Sequence, residues 1–455
     1  MTARALAAAL VAMLAGCGGS PGSDSPSPAA PPVEDRFPRP YLVKDIRPGS
    51  ESSAPYALTD ARGVLFFGAD DGLHGKALWK SDGTSEGTLL VKNVDPGALV
   101  ASASERRVFF ETIVLKDTPG FRRWPSIWTS DGSEEGTLDL LEFYPCGDGG
   151  GGCAKEYYPH DMRVVGGLAF FDGNYDLWRT DGTVEGTGVL SRGANFDYPR
   201  FAAAGRFLYF SMSMSGRLAR TDGTPAGTML LRDDVTLGAA AAVGETLFFV
   251  TTDGSKSPRV PELWKSDGTP EGTVRVHSFP AGSPQSLTAA RPGLLFFALA
   301  TSPAVTTAGY EIWRSDGTSA GTFRVLGGLA RPLALAAMGG DLYFSANDGV
   351  RGAELFRSDG QRAFLVDDIN AQSGAEPQAL TPAGRHLFFV ADDGVHGREL
   401  WRTDGTAAGT VLVHDFAPGL RSSNPGRLAA SGSRLFFTVD DGVSGVELWA
   451  VGLSR

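Results

Sequence analysis

The chain is poor in the residues that most often build metal and enzyme centres. Its 455 residues include three cysteines and six histidines, and the histidines are scattered. Beyond the first 17 residues no stretch offers the roughly 18 uninterrupted apolar residues that a membrane-spanning helix requires. No stretch shows a helical apolar period of useful length either. The last two shortages argue against a helical bundle and against a membrane-spanning helix after residue 17.

The charge balance excludes two further classes of partner. The formal net charge is −11, and residues 1–40 carry three basic and three acidic side chains. The acidic excess therefore lies entirely in residues 41–455. An acidic surface argues against nucleic acid and against an anionic membrane surface as the main partner.

A repeat of about 46 residues occupies the rest of the chain. Nine pairs of large apolar residues end at Phe67, Phe110, Phe171, Phe210, Phe249, Phe297, Phe344, Phe389 and Phe437. Each pair is followed by a Trp-like position, namely Trp79, Trp128, Trp178, Ala219, Trp264, Trp313, Phe356, Trp401 and Trp449. A period of this length is typical of the four-stranded blades of a β-propeller.

Each unit contains four short β-rich segments, A to D, bounded by Gly, Asp or Pro. The sequence therefore predicts an all-β fold, a single β-propeller over residues 41–455 with about nine four-stranded blades. Eight blades is the alternative, because the fourth unit has Ala219 where the others have an aromatic residue. The last unit has no D segment, so we expect Tyr41–Ile46 to pair beside Leu448 and close the ring. We also expect the aromatic pairs and the Trp positions to face opposite sides of the sheet.

The C–D turn carries the motif Asp-Gly-Thr-x-x-Gly-Thr. Its aspartates are Asp82, Asp131, Asp181, Asp222, Asp267, Asp316, Asp359 and Asp404. We expect the carboxylate to accept turn amides, the following glycine to take a positive φ, and the hydroxyls to cap the backbone. Calcium binding is the alternative, although each turn offers only one fixed carboxylate and hard cations need several oxygens. The residue after the Trp position is basic in seven of the first eight units, which predicts an ion pair with this aspartate or a stacking contact.

Residues 262–273 and 399–410 resemble the ELWxxDGT repeat of secreted and surface-anchored bacterial proteins, sometimes labelled hyalin-like. The resemblance covers about residues 41–455. Departures are Ala219 in the fourth unit, Ser133 in the second, and Gln361-Arg362 in the seventh. The resemblance implies an extracytoplasmic repeat scaffold and does not imply a reaction.

The first 17 residues have the pattern of a lipoprotein signal peptide. Arg4 precedes a short apolar stretch, and Leu14-Ala15-Gly16-Cys17 resembles a lipobox in which Cys17 is lipidated. An ordinary signal peptide with an incidental cysteine is the alternative. Gly18 stands where the known inner-membrane retention signal is Asp, which favours anchoring to a bacterial outer membrane. Residues 18–40 are rich in Pro and Ser and predict an extended tether.

The loop-rich face of the predicted propeller is where binding is expected. The B–C loops vary in length, whereas the C–D turns on the opposite face are nearly uniform, and neutral drift in loops is the alternative explanation. The largest departures lie in the second and third units. There an aromatic and basic set predicts a glycan or protein platform, although local packing would also explain it. Its members are Phe121, Arg122, Arg123, Trp124, Tyr157 and Tyr158.

The two remaining cysteines, Cys146 and Cys153, enclose a glycine-rich loop and predict a disulfide in an oxidising compartment. A metal site is the alternative and would need two further ligands. Catalytic signals are weak, because a G-x-S-x-G string lies in the tether and a G-x-G-x-x-G string at Gly147–Gly152 precedes no helix. His74 and His396 share one repeat position, which favours a turn role. The sequence thus predicts a surface recognition or adhesion scaffold without cofactor, with an extracytoplasmic hydrolase or lyase as the alternative.

Overall fold

The computed structural model describes residues 37–115, 123–143, 160–173, 176–192, 201–212, 216–251, 260–301 and 309–453. Within these ranges the regular structure is β-strand throughout, and no helix occurs. The prediction of an all-β fold is therefore confirmed. The apolar pairs and the Gly, Asp and Pro punctuation of the repeat account for this, since they favour short strands joined by tight turns.

The strands of the N-terminal half are β1 Tyr41–Lys44, β2 Tyr56–Ala61, β3 Val64–Asp70, β4 Lys76–Ser81, β5 Leu89–Lys92, β6 Leu99–Ala101, β7 Val108–Leu115, β8 Arg123–Ser130, β9 Leu138–Glu142, β10 His160–Val165, β11 Leu168–Gly173, β12 Asp176–Thr180, β13 Gly188–Ser191, β14 Phe201–Ala204, β15 Phe207–Met212, β16 Arg217–Thr221 and β17 Met229–Arg232. Those of the C-terminal half are β18 Ala240–Val243, β19 Thr246–Thr251, β20 Glu262–Ser266, β21 Val274–Ser278, β22 Ser283–Arg291, β23 Leu294–Ala300, β24 Tyr310–Ser315, β25 Phe323–Met338, β26 Asp341–Asn347, β27 Ala353–Ser358, β28 Ala363–Asp367, β29 Gln378–Ala383, β30 His386–Asp392, β31 Arg398–Thr403, β32 Val411–His414, β33 Gly426–Ser431, β34 Arg434–Asp440 and β35 Val446–Gly452.

Most of these strands form four-stranded antiparallel sheets in chain order, such as β2-β3-β4-β5 and β14-β15-β16-β17. The fourth unit, the weakest by sequence, is thus a complete sheet. One sheet has seven strands, β22 to β28, because β25 pairs with β24 through its first half and with β26 through its second. The first strand of each unit contacts that of the next, and β33 contacts β2. The architecture is propeller-like.

The last sheet has the order β1-β35-β34-β33. Tyr41 pairs with Ala450, Leu42 with Trp449 and Lys44 with Leu448. The expected pairing of the N-terminal strand beside Leu448 is therefore confirmed. Because β1 supplies the fourth strand, the outer edge of β35 is covered by hydrogen bonds rather than left open.

The core lies between the sheets and is built from cross-strand aromatic pairs. The second aromatic of every pair lies directly opposite the Trp-like residue of the next strand, as Phe110 does opposite Trp128. Their rings stack with centroids 6.2 Å apart. The expectation of opposite faces was wrong for this second aromatic, because directly opposed residues of antiparallel strands share one face. The first aromatic, such as Phe109, is also buried.

The C–D turns follow one hydrogen-bond plan. In the fifth unit the Asp267 carboxylate accepts the backbone N–H of Thr269 at 2.9 Å and its hydroxyl at 2.7 Å. The Thr269 hydroxyl oxygen accepts the N–H of Gly272, and Thr273 Oγ1 donates to the carbonyl of Thr269. Gly268 has a φ of 89°. The predicted turn roles are confirmed, and a Cβ on Gly272 would overlap the carboxylate, which explains the second glycine of the motif.

The departures from the motif are accommodated in different ways. Ser133 replaces threonine and its hydroxyl still donates to Asp131 at 2.7 Å. In the seventh unit, Asp359 accepts the backbone N–H groups of Gln361 and Arg362 instead. The turn therefore depends on a carboxylate and on local N–H donors more than on threonine.

The basic residue after the Trp position joins one unit to the next. Lys80 donates to the carbonyl of Gly132 at 2.6 Å, and Arg220 donates to that of Gly268 at 3.1 Å. The equivalent bonds run from Arg179 to Gly223, from Arg314 to Gly360 and from Arg357 to Gly405. The predicted ion pair within one unit is thus corrected to a hydrogen bond between units, because the glycine carbonyl of the following turn points at the cation. The stacking alternative is confirmed for Arg220 and Arg314, whose guanidinium groups lie over the rings of Phe207 and Phe323, 4.1 and 4.9 Å from the centroids.

Two units lack the basic residue, and other side chains replace it. In the second unit, where Thr129 stands at this position, Arg107 lies 3.5 Å from the carbonyl of Gly182. At the closing junction, Tyr41 of β1 donates its hydroxyl to the carbonyl of Gly83 at 2.9 Å. The closing strand therefore supplies both the sheet pairing and the contact to the next turn.

The turn aspartates make the fold sensitive to acid. Hydrogen bonds from the threonine hydroxyl and then from the threonine N–H lower the pKa of Asp222, Asp267 and Asp316 below the ordinary 3.8. A lowered pKa in the folded state gives stability that is complete above about pH 3.8 and is lost as the pH falls through the folded pKa. We expect the triple variant Asp222→Asn, Asp267→Asn, Asp316→Asn to lose less free energy of unfolding than the unaltered chain between about pH 5 and pH 2, the range in which carboxyl groups take up protons. The free energy of unfolding is measured by urea denaturation at each pH.

The matched control changes three exposed glutamates of C–D turns, Glu135, Glu185 and Glu271, to Gln. It should retain the full acid dependence of the unaltered chain. Equal acid dependence in the aspartate variant would contradict the assignment.

Candidate binding face

The B–C and D–A loops lie at the end of the sheets opposite the C–D turns. The structure describes both kinds of loop for four consecutive units, the seventh, eighth, ninth and first. The B–C loops are 347–352, 392–397, 440–445 and 70–75, and the D–A loops that separate them are 368–377, 415–425 and 45–55. We call these seven loops the belt.

Three buried glutamates hold the D–A loops of the belt. Glu447 accepts the backbone N–H of Ser53 at 2.9 Å and its hydroxyl at 2.5 Å, together with the N–H of Ile46 at 3.3 Å. The side chain is fully buried, so these donors replace the water that it loses. The glutamate therefore fixes the loop that follows the closing strand.

The same arrangement recurs in the two preceding units. Glu399 accepts the N–H and the hydroxyl of Ser423 at 3.0 and 2.5 Å. Glu354 accepts the N–H groups of Asn370 and Ala375 at 3.2 and 2.9 Å. Burial raises the pKa of all three carboxyls, while the donated hydrogen bonds oppose that rise. These glutamates are the first residue of the Glu-Leu-Trp motif, and the sequence reasoning assigned them no role.

The same motif position has another use in the fifth and sixth units. Glu262 accepts the indole N–H of Trp264 at 3.0 Å and pairs with Arg275 at 3.0 Å. Glu311 makes the equivalent contacts. These carboxylates are partly exposed and hold no loop. We call a buried glutamate that accepts backbone N–H groups of a D–A loop a glutamate cage, and the repeat motif alone does not reveal which glutamates form one.

The D–A loops pack between neighbouring B–C loops. The backbone of the 415–425 loop around Arg421 lies against Gly397 of the eighth unit. The Arg421 guanidinium lies against Gly442 of the ninth unit. The loop at 45–55 likewise touches Gly445 of the ninth unit and Gly72 of the first. The belt is therefore a continuous surface across four units.

A cavity of about 450 Å³ lies outside the belt, along β10, β14 and β18, which are the first strands of the third, fourth and fifth units. Its polar wall is the ion pair between Asp161 and Arg163, with an O–N distance of 2.6 Å. Asp161 also accepts the N–H of Phe201 at 2.8 Å. The other lining residues are Phe201, Leu247 and the small residues at 202–203 and 238–242. The volume is in the range of roughly 300–1,000 Å³ that small-ligand sites occupy.

Local backbone differences explain where this cavity forms. The inner strand of six units contains a bulge with a left-handed residue, which is Asp161 (φ 53°) in the third unit. Strands β14 and β18 pair without a bulge and are mostly alanine. Small side chains on regular, short strands leave space that bulged strands with larger residues fill. The runs of alanine at 202–204 and 239–242 are the sequence signal that could have indicated this cavity.

The predicted platform lies largely outside the described residues. Phe121, Arg122, Tyr157 and Tyr158 are not among them, and neither are Cys17, Cys146 and Cys153. Arg123 and Trp124 begin β8, where they pair with Leu115 and Val114 of β7. These two residues therefore belong to a strand hairpin that extends the second sheet. The platform stays a prediction.

The turn role expected for the two repeated histidines is confirmed. His74 Nδ1 lies 2.7 Å from Asp71 Oδ2, and His396 Nδ1 lies 2.7 Å from Asp393 Oδ2. The hydrogen bond from His396 to Asp393 raises the pKa of the imidazole. Across the described ranges there is no group of three or more His, Cys, Asp or Glu side chains placed to bind a metal ion, and no helix with the length and apolarity to cross a membrane.

No protein-family model matches the chain, and no curated protein matches it. Solved structures with similarity include one from a study of two prolyl endopeptidases, with 14% identity and a TM-score of 0.39 over 64% of this chain and 46% of that one. A puromycin hydrolase mutant complexed with PGG has 14% identity and a TM-score of 0.41 over 87% and 60% of the two chains. A second puromycin hydrolase structure has 13% identity and a TM-score of 0.36 over 80% and 62%. The chain thus spans 46% to 62% of the length of these three solved chains.

The glutamate cages predict local unfolding in a defined loop. In Glu447→Gln one carboxylate oxygen becomes an amide donor, which leaves a buried N–H of the 45–55 loop without an acceptor at a cost of about 1–3 kcal/mol. We expect amide hydrogen exchange in this loop to accelerate by about tenfold or more, since 1.4 kcal/mol corresponds to a factor of ten.

The matched control is Glu262→Gln, at the same motif position but without a cage. Its amide exchange around β20 should change by less than about tenfold, as expected for a partly exposed ion pair. Equal effects at both positions would show that the Glu447 cage does not hold the loop.

Proposed function

We propose that this chain is a nine-bladed β-propeller of the ELWxxDGT type that serves as a surface recognition scaffold. The blade count is supported by β25, whose two halves pair with separate neighbours and so divide the seven-stranded sheet into two blades of four strands. The confinement of loop variation to the face opposite the uniform turns supports a binding role for that face.

We also propose that Cys17 carries a lipid that anchors the chain to a bacterial outer membrane, and that residues 18–40 act as a tether. The sequence Leu14-Ala15-Gly16-Cys17 supports this, and two acyl chains give stable anchoring where one does not. We expect Cys17→Ser to move the protein from the membrane fraction to the soluble fraction, assayed by immunoblotting. An unchanged distribution would defeat the lipid anchor.

The cavity beside Asp161 and Arg163 is the observation that carries the binding proposal. A charged pair at the wall can exchange hydrogen bonds with hydroxyl groups, and the small side chains of the alanines leave space for a sugar ring. His160 begins β10 directly after the segment with Tyr157 and Tyr158, which are part of the predicted platform. We therefore propose a glycan as ligand, with a protein as the alternative. A hydrolase or lyase that acts on such a glycan is the second candidate function.

A screen of glycans and peptidoglycan fragments against the purified chain tests this function. We expect Ala239→Trp, which places a large ring at an exposed position of the cavity wall, to weaken glycan binding by about tenfold or more, measured by calorimetry. The triple variant Trp124→Ala, Tyr157→Ala, Tyr158→Ala should weaken it as well.

The matched control is Val184→Ser, an exposed change in a C–D turn on the opposite face, which should leave binding unchanged. If neither cavity nor platform variant weakens a ligand that the unaltered chain binds, the location is wrong. Release of shorter saccharides during the assay would favour the hydrolase or lyase.

A further inference from the structure

Each B–C loop of the belt carries a solvent-exposed aliphatic residue at the same repeat position, the fourth residue of the loop. Leu73, Val350, Val395 and Val443 are 87%, 77%, 61% and 75% exposed. Single exposed apolar residues are common on protein surfaces, but a set at one repeat position on four consecutive units is not a scattered occurrence. Leu420 of the intervening 415–425 loop is 77% exposed as well. We call the four B–C residues the tips.

Each tip is held outward by the same set of bonds. Asp393 Oδ1 accepts the N–H groups of Val395 and His396 at 2.9 and 2.8 Å, while the imidazole binds Oδ2. Asp71, Asp348 and Asp441 hold Leu73, Val350 and Val443 in the same manner. Because the neighbouring D–A loops are fixed by the buried glutamates, a partner would find the tips already arranged and would lose little entropy in ordering them.

The belt is also the main source of the negative charge of the chain. It contains twelve carboxylates and three arginines, which gives a net charge of −9 within a total of −11. The arginines, Arg47, Arg351 and Arg421, pair with acidic side chains of the belt itself. The aliphatic tips therefore project from a strongly acidic surface, and the complementary partner is apolar and basic.

We propose that the tips and the acidic belt form a docking surface for a cationic amphipathic polypeptide segment. The segment lays its apolar side across consecutive tips, and its basic side chains meet the belt carboxylates. A second copy of this chain does not fit, because two surfaces of charge −9 would repel each other. An anionic bilayer is disfavoured for the same reason.

The test uses the full mature chain and a synthetic helix of about 18 residues, with leucine on one face and lysine on the other. The peptide should bind, and added salt should weaken it through screening. The variant Leu73→Ser, Val350→Ser, Val395→Ser, Val443→Ser should bind about tenfold or more weakly. The double variant Glu51→Gln, Glu376→Gln, at exposed belt positions, should also bind more weakly, whereas Val184→Ser should bind as the unaltered chain does.

Four results would overturn the proposal. They are equal peptide binding by the tip variant, equal binding of a peptide with glutamate in place of lysine, tip-dependent binding to phosphatidylcholine vesicles in place of the peptide, and tip-dependent self-association in sedimentation. Glycan binding at the cavity is measured in the same variants. It should persist in the tip variant, so that failure of either site is distinguishable from failure of the other.

Discussion

The carboxylate inside the C–D turn is the interaction on which the architecture depends. Asp267 and its equivalents draw the threonine N–H and hydroxyl inward, and the adjacent glycine, in a left-handed conformation, turns its carbonyl towards the preceding unit. That carbonyl is the acceptor for a lysine or arginine of the preceding sheet, as between Arg220 and Gly268. One local turn thus sets the geometry of a strand pair and also supplies a contact between sheets.

The features that depend on local periodicity could be predicted from the sequence. The alternation of aromatic pairs and Asp-Gly turns was sufficient for the all-β fold, and the missing last strand was sufficient to find the pairing of β1 with β35. Both are short-range patterns or simple counts. The orientation of Phe110 relative to Trp128 was missed because it depends on which residues of two strands are opposed, and register is set by the loop length between them.

The features that could not be predicted are those in which one side chain accepts hydrogen bonds from backbone N–H groups far away in sequence. Glu447 and Glu262 occupy one motif position, yet the first holds a loop some 400 residues away in sequence, from Ile46 to Ser53, and the second binds a neighbouring indole. The difference depends on whether the adjacent D–A loop brings N–H groups to the carboxylate. The cavity at Asp161 was not predicted for a related reason, since it lies along β14 and β18, which are short, mostly alanine and without the bulge found in six other units.

The two ends of the sheets, with the C–D turns at one and the loops at the other, are stabilised in different ways. On the turn face, hydrogen bonds repeat from unit to unit, so that a side chain changed in one unit, such as Thr129, is replaced by another donor, Arg107. On the loop face, buried glutamates fix D–A loops largely through backbone N–H groups, and aspartates hold the B–C loops through the backbone N–H groups of the tips. A loop held through its backbone can change its outward side chain with little loss of stability. This separation allows a repetitive scaffold to carry loops that differ in length and in exposed side chains from unit to unit.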